Sequence, residues 1–194
     1  MSSFQNTALA ATVSLAVAGG AALSSALGPA LAEMTVEVGG APMYPSRTII
    51  DNAVNSKDHT TLVAAIKAAN LDETLQGEGP FTVFAPVNKA FEKLSKGTLE
   101  TLLQPENKPA LTAILTYHVI PGKISAADFI AAIKKGGGQA TYKTVEGEAL
   151  TVQQDGRRLE IIDARGDKAF VTIADVSQKN GVIHVVDTVL LPKS

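Results

Sequence analysis

Residues 182–191 admit only His184, Asp187 and Thr188 as polar side chains in an otherwise apolar run. The run does not alternate apolar with polar positions, so as a strand it has to be covered on both faces. Such a strand lies inside a sheet with one layer above it and another below, and the remaining sequence has to supply both.

Other strand-like runs surround it in sequence. Residues 141–145, 149–154, 157–162 and 168–173 are rich in β-branched side chains, and 182–190 completes the series. Between them lie the turn sequences Glu146-Gly147-Glu148, Asp155-Gly156, Ala164-Arg165-Gly166-Asp167 and Lys179-Asn180-Gly181. Asp155-Gly156 is the strongest two-residue hairpin signal among them. Residues 81–84 and 117–120 add earlier strands.

From Thr48 to about Lys135 the periodicity is mainly helical. Leu62, Ala65, Ile66 and Ala69 share one helix face, with Asp58 or Thr60 available as a cap. Lys108-Pro109-Ala110 places proline in a first turn, ahead of the stripe Leu111, Ile114 and Leu115. Residues 125–128 open a helix with a capping-box pattern, Phe129, Ile130 and Ile133 form its apolar face, and Lys134-Lys135-Gly136 ends it. Short helices of this kind need a surface to pack on. The fold class is α+β, with helices clustered on a largely antiparallel sheet.

The first 32 residues carry no charge at all, and every charged side chain stands at Glu33 or beyond. An apolar stretch over residues 8–26, followed by Ala30-Leu31-Ala32, has the organisation of a secretory signal peptide cleaved after Ala32. Its start lacks Lys and Arg, and Gly19-Gly20 with several Ser favours a cleaved signal over a permanent membrane helix. The mature protein is therefore expected in a periplasm or outside the cell, with no membrane insertion after cleavage. Residues 33–47 read as a flexible arm, and 48–192 as the domain.

The chain has no cysteine, which excludes a disulfide framework, a thiolate metal site and a Cys nucleophile. A net charge of −2 gives no electrostatic basis for binding nucleic acid. No Gly-x-Ser-x-Gly occurs, and Gly136-Gly137-Gly138 lacks the lysine and following helix of a phosphate loop. The sequence reads as non-catalytic and without cofactor. A metal site would have to bring His59, His118 and His184 together with Asp175 or Asp187, and there is no i, i+4 His pair to begin one. The alternative is that His118 and His184 are partly buried imidazoles bonded to backbone or to a side chain such as Asn88, with His59 in solvent.

Three segments carry a resemblance. They are Thr82-Val83-Phe84-Ala85-Pro86-Val87-Asn88-Lys89-Ala90-Phe91, then Tyr117-His118-Val119-Ile120-Pro121-Gly122, then Asn180-Gly181-Val182-Ile183-His184-Val185-Val186-Asp187 running into Val189-Leu190-Leu191-Pro192. In order and spacing they resemble the boxes of the fasciclin (FAS1, or beta-Ig-H3) domain. The resemblance implies a wedge-shaped β-sandwich with a bundle of short helices, in a secreted protein that mediates adhesion to a cell-surface receptor, the extracellular matrix or the cell envelope. Read physically, the boxes are folding elements. Val83 and Phe84 alternate faces, Pro86 ends the strand, Asn88 can cap the helix that follows, and Phe91 returns to the core.

Two adhesive candidates remain. Arg165-Gly166-Asp167 lies between strand-like runs, where a turn would project an Arg and an Asp of the tripeptide that many integrins read. The resemblance adds Asp175-Val176, at the place of an adhesive Asp-Ile pair just before the last box in animal relatives, although its neighbours Ile173, Ala174 and Ser177 depart from that pattern. The rival reading is a periplasmic or matrix scaffold that binds proteins or polysaccharide, with Arg165-Gly166-Asp167 incidental.

Overall fold

A computed structural model of the chain describes residues 34–95 and 97–193. The expected signal peptide, 1–32, lies outside the described residues. Strand β1 (Val36–Val38) pairs with β2 (Ala41–Met43). Helices α1 (Ile49–Ala53), α2 (Thr60–Ala69) and α3 (Asp72–Gln76) follow, and then β3 (Phe81–Pro86). Helices α4 (Asn88–Glu92), α5 (Thr98–Leu102) and α6 (Lys108–Tyr117) lead to β4 (Val119–Pro121) and α7 (Ala126–Lys135). The chain then runs through β5 (Gln139–Lys143), β6 (Ala149–Asp155), β7 (Arg158–Ile162), β8 (Lys168–Gln178) and β9 (Gly181–Val186).

Seven strands form one sheet in the order β4-β3-β9-β8-β7-β6-β5. All pairings are antiparallel except that of β3 with β9, the second and third strands of the order, which run parallel. The sheet curls until its two ends meet, where the Val145 amide donates to the Val119 carbonyl at 2.8 Å.

β9 has the environment its apolar run demands, with every residue buried. Ile183 and Val185 face one core together with Val83 and Ala85 of β3 and the helices α1 to α6. Val186, Phe84 and Leu190 face a second core, closed by Phe129 and Ile133 of α7 and by Leu150, Val152 and Ile161 of the hairpin strands. Burying a side chain of this size stabilises by about 1.5–3 kcal/mol, so the alternate residues of two strands anchor both layers.

Several boundaries move for local reasons. β8 continues five residues beyond the expected 173 because it absorbs two register shifts, with Asp175 in a left-handed conformation (φ 58°). The two residues between paired Asp155 and Arg158 are Gly156 and Arg157, so the hairpin turns one position later than Asp155-Gly156. Tyr117 closes α6 and does not begin a strand. Helix α7 has the expected capping box, in which Ser125 and Asp128 exchange bonds with each other's backbone amides.

Within the segment read as an arm, residues 36–43 form the hairpin β1–β2. β1 and β2 bury Val38, Ala41 and Met43 against the helical core, and the Lys57 amide bonds the Gly39 carbonyl at 3.1 Å. The sequence pattern hid this hairpin because its strands have three residues each.

Gly181 opens β9 where the backbones of β9 and β3 approach. A Cβ built there would stand 2.0 Å from the Phe81 carbonyl oxygen. Gly181→Ala is expected to cost roughly 3 kcal/mol or more, read as a lower urea midpoint at unchanged slope.

Candidate functional site

The turn between β7 and β8 is built around the carboxylate of Asp163, which is 6% exposed. Its Oδ1 accepts from the amides of Arg165 and Asp167, both at 2.9 Å, and its Oδ2 accepts from the Leu191 amide at 2.9 Å. The Gly166 amide donates to the Asp163 carbonyl at 3.1 Å, and the Asp163 amide donates to the Asp167 carbonyl at 3.0 Å. A carboxylate with three backbone donors makes charge-assisted bonds, stronger than those between neutral groups. Gly166 takes φ 90°, a conformation that suits glycine.

The Tyr-His segment supports this turn from beneath. Tyr117 is fully buried; its hydroxyl donates to the Ala149 carbonyl at 3.0 Å and accepts from the Ala164 amide at 2.8 Å. Burial pushes the phenol up to about 12, so it stays a protonated donor.

Arg165, Gly166 and Asp167 are exposed at the tip. Arg165 Nε donates to the Pro192 carbonyl at 2.8 Å. The Asp167 carboxylate has no hydrogen-bond or ion-pair partner among the described residues, since Lys168 pairs with buried Glu160 (3.1 Å) and Arg158 with Asp155 (3.8 Å).

Asp175 and Val176 stand near the other end of β8. Asp175 is exposed, yet its Oδ1 accepts from the Ala126 amide at 2.7 Å, in the first turn of α7, where a negative charge is favoured. Val176 is 1% exposed and belongs to the helical core, which removes it from any direct contact with a partner.

The remaining box residues hold the fold. Thr82 Oγ1 donates to the Gly122 carbonyl (2.7 Å) and accepts from the Ile124 amide (2.9 Å). Phe84, Pro86 and Phe91 are buried. Asn88 does not cap its own helix. Its Oδ1 accepts from the Thr61 amide at 3.0 Å and its Nδ2 donates to the Lys57 carbonyl at 2.8 Å, so it caps α2 across space, a start that His59 leaves without a side-chain cap. Asp187 accepts from the Phe170 amide at 2.9 Å and faces Lys93 at 3.8 Å.

The histidines also sort themselves by partner. His118 Nδ1 donates to the Ile114 carbonyl (2.7 Å) and its Nε2 accepts from the Leu190 amide (3.0 Å). In His184 the roles reverse, with Nε2 donating to the Ile124 carbonyl (2.9 Å) and Nδ1 accepting from the Asp175 amide (3.3 Å). Both are held by backbone groups and neither reaches Asn88. His59 is buried, contrary to the sequence reading, with Nδ1 2.9 Å from Ser56 Oγ and Nε2 without a hydrogen-bond partner of good geometry. It borders a cavity of about 20 Å³ lined by Val38, Met43, Leu62 and Ile66, room for about one water. Among the described residues no three His, Asp or Glu side chains converge on a common point for a metal.

Sequence reasoning singled out the tripeptide but missed Asp163, Tyr117 as its support, and Pro192. The signal for Asp163 was an Asp at the first position of a turn, a residue type that bonds the amides two and four positions on.

The family is now defined from outside as well. A family model of the fasciclin domain matches residues 57–192, and the chain belongs to that family. Protein sll1483 of Synechocystis is 46% identical over 160 residues, 82% of each chain. The immunogenic protein MPB70 of Mycobacterium bovis is 34% identical over 191 residues, 94% of this chain and 90% of that one. Human periostin is 34% identical over 148 residues, 76% of this chain but 16% of its own length. Among solved structures, a FAS1 domain pair from the insect cell adhesion molecule fasciclin I shares the fold, with a TM-score of 0.69 at 21% identity, covering 76% of this chain and 52% of that one.

Burial lowers the affinity of all three imidazoles for protons, and pushes His118 from its ordinary 6.5 down to about 4. Between those values the unfolded chain binds a proton that the folded chain does not, so stability is full above pH 6.5 and falls as the pH drops. From His118 alone the loss by pH 4 is expected to be about 3 kcal/mol. Urea titrations at pH 7, 5.5 and 4 measure it, and a flat profile would contradict a buried neutral His118.

Proposed function

We infer that this protein is an exported, non-catalytic adhesion domain that attaches to a cell-surface receptor or matrix component through the turn at Arg165-Gly166-Asp167. One observation carries the reading: the buried Asp163 carboxylate fixes the backbone of the turn while leaving the Asp167 carboxylate exposed and unpaired. A pre-ordered loop on a rigid sheet loses little entropy when a partner binds. An exposed carboxylate beside an Arg suits a receptor that offers a bound divalent cation for the acid and acidic groups for the guanidinium, the chemistry of integrin-type recognition. In this reading Asp175 serves the fold by accepting from the first-turn Ala126 amide of α7, with Val176 in the core.

A second reading, a scaffold that binds matrix or envelope protein or polysaccharide, draws on a different feature. An open groove of about 460 Å³ lies beside the hairpin β1–β2, lined in part by Met34 and Val36, both exposed, and by Lys123 and Asp175. Binding there would not depend on Asp167.

Asp167→Glu keeps the charge and lengthens the side chain by one methylene. It is expected to reduce attachment of integrin-bearing cells to immobilised protein at least tenfold with the melting temperature unchanged. Equal attachment by both proteins would move the function to the groove, where labelled envelope polymer should bind either one.

Export is part of the proposal, since the chargeless segment ends in Ala30-Leu31-Ala32. N-terminal sequencing of protein recovered from outside the cytoplasm is expected to begin at Glu33.

A further inference from the structure

We propose that the C-terminal segment Leu191–Lys193 is a latch on the Arg165-Gly166-Asp167 turn, holding the arginine against the domain until the segment lifts; this rests on the reading of that turn as the adhesive element. The two charges of the turn are not equally available. Asp167 projects without a partner, whereas Arg165 Nε is bonded to the Pro192 carbonyl at 2.8 Å. A receptor that must meet both charges finds one free and the other held.

The segment is fastened by three bonds of unequal strength. The Leu191 amide donates at 2.9 Å to the Asp163 carboxylate, the group that also orders the turn. Farther out, Arg165 grips the Pro192 carbonyl, and the Lys193 amide donates to Glu148 Oε2 at 2.7 Å in an exposed position. The bond at Leu191 is sheltered and anchored in the fold, while the one at Lys193 competes with water. Solvent-exposed hydrogen bonds open at small cost. The segment therefore hinges at Leu191, and the part that lifts is the part that holds Arg165.

The coupling runs both ways. If the lifted state binds the receptor better, the receptor favours the lifted state by the same factor. Hydrogen exchange at the Lys193 amide should then quicken when receptor binds, while the Leu191 amide stays protected. A contact between a surface arginine and a passive segment predicts no such difference.

The test compares four proteins in cell attachment: the full chain, a chain ending at Leu191, Asp167→Glu in the full chain, and Asp167→Glu in the shortened one. Shortening removes the bonds at Pro192 and Lys193, each changing an equilibrium by a factor of roughly three to ten, so the shortened chain is expected to reach half-maximal attachment at an at least threefold lower coating density. Asp167→Glu is expected to suppress attachment in both backgrounds. Attachment that depends on Asp167 but is unchanged or weakened by shortening would overturn the latch and leave the turn standing. Attachment indifferent to Asp167 in both backgrounds would overturn the turn itself and the latch with it. Should the shortened chain melt early, Glu148→Gln in the full chain weakens the Lys193 bond, and no gain in attachment there would equally overturn the latch.

Discussion

Where Gly181 enters β9, its backbone lies against the carbonyl of Phe81, and from that point β3 and β9 run parallel from Phe81↔Gly181 to Pro86↔Val186. Their side chains divide between the two cores, Val83, Ala85, Ile183 and Val185 to the helices and Phe84 and Val186 to α7 and the hairpin strands. Asn180, just before the pair, accepts from the Ile49 amide (3.0 Å) and donates to the Leu75 (2.7 Å) and Gly77 (2.9 Å) carbonyls. The end of α3, the start of α1 and the start of β9 are thus joined by one buried amide with its polar atoms satisfied.

Polar side chains, most of them buried, carry this order outward from the core to the surface. Each of Thr82, Asn88, Tyr117, His118, Asn180 and His184 bonds backbone groups, many of them distant in sequence, and such fully satisfied ties specify one arrangement where apolar contacts alone would tolerate several. Tyr117 links the two levels. Its ring lies in the second core and its hydroxyl reaches the amide of Ala164, so the packing of α6 and β6 is felt in the turn that carries Arg165 and Asp167. The chemistry of the exposed loop is local, but its geometry is set by the interior.

Much of this was legible in the sequence wherever a pattern ran long enough. The unalternating run at 182–191 named the central strand, the Ser125 to Asp128 capping box fixed the start of α7, and the three boxes identified the family. What escaped has a common physical cause. The cap that Asn88 places on α2, the bond from Tyr117 to the turn and the burial of His59 join residues that only the tertiary fold brings together, and spacing along the chain carries no trace of them. The hairpin β1–β2 was missed because three-residue strands show no period. The tripeptide 165–167 was visible as a motif, yet its stiffness depends on Asp163, whose carboxylate reads from sequence as one more solvated turn residue.

The bond from Val145 to Val119 has a consequence for how this protein meets others. A sheet with free lateral strands invites pairing with any extended segment that comes near. Here the Val145 amide, just beyond β5, occupies the Val119 carbonyl at the start of β4, so the two end strands partly cover each other. The exposed loops remain available for encounters, and a short sequence there can be changed without disturbing the ladder beneath it. Exposed loops such as the turn between β7 and β8 can then vary in sequence while the two cores stay the same.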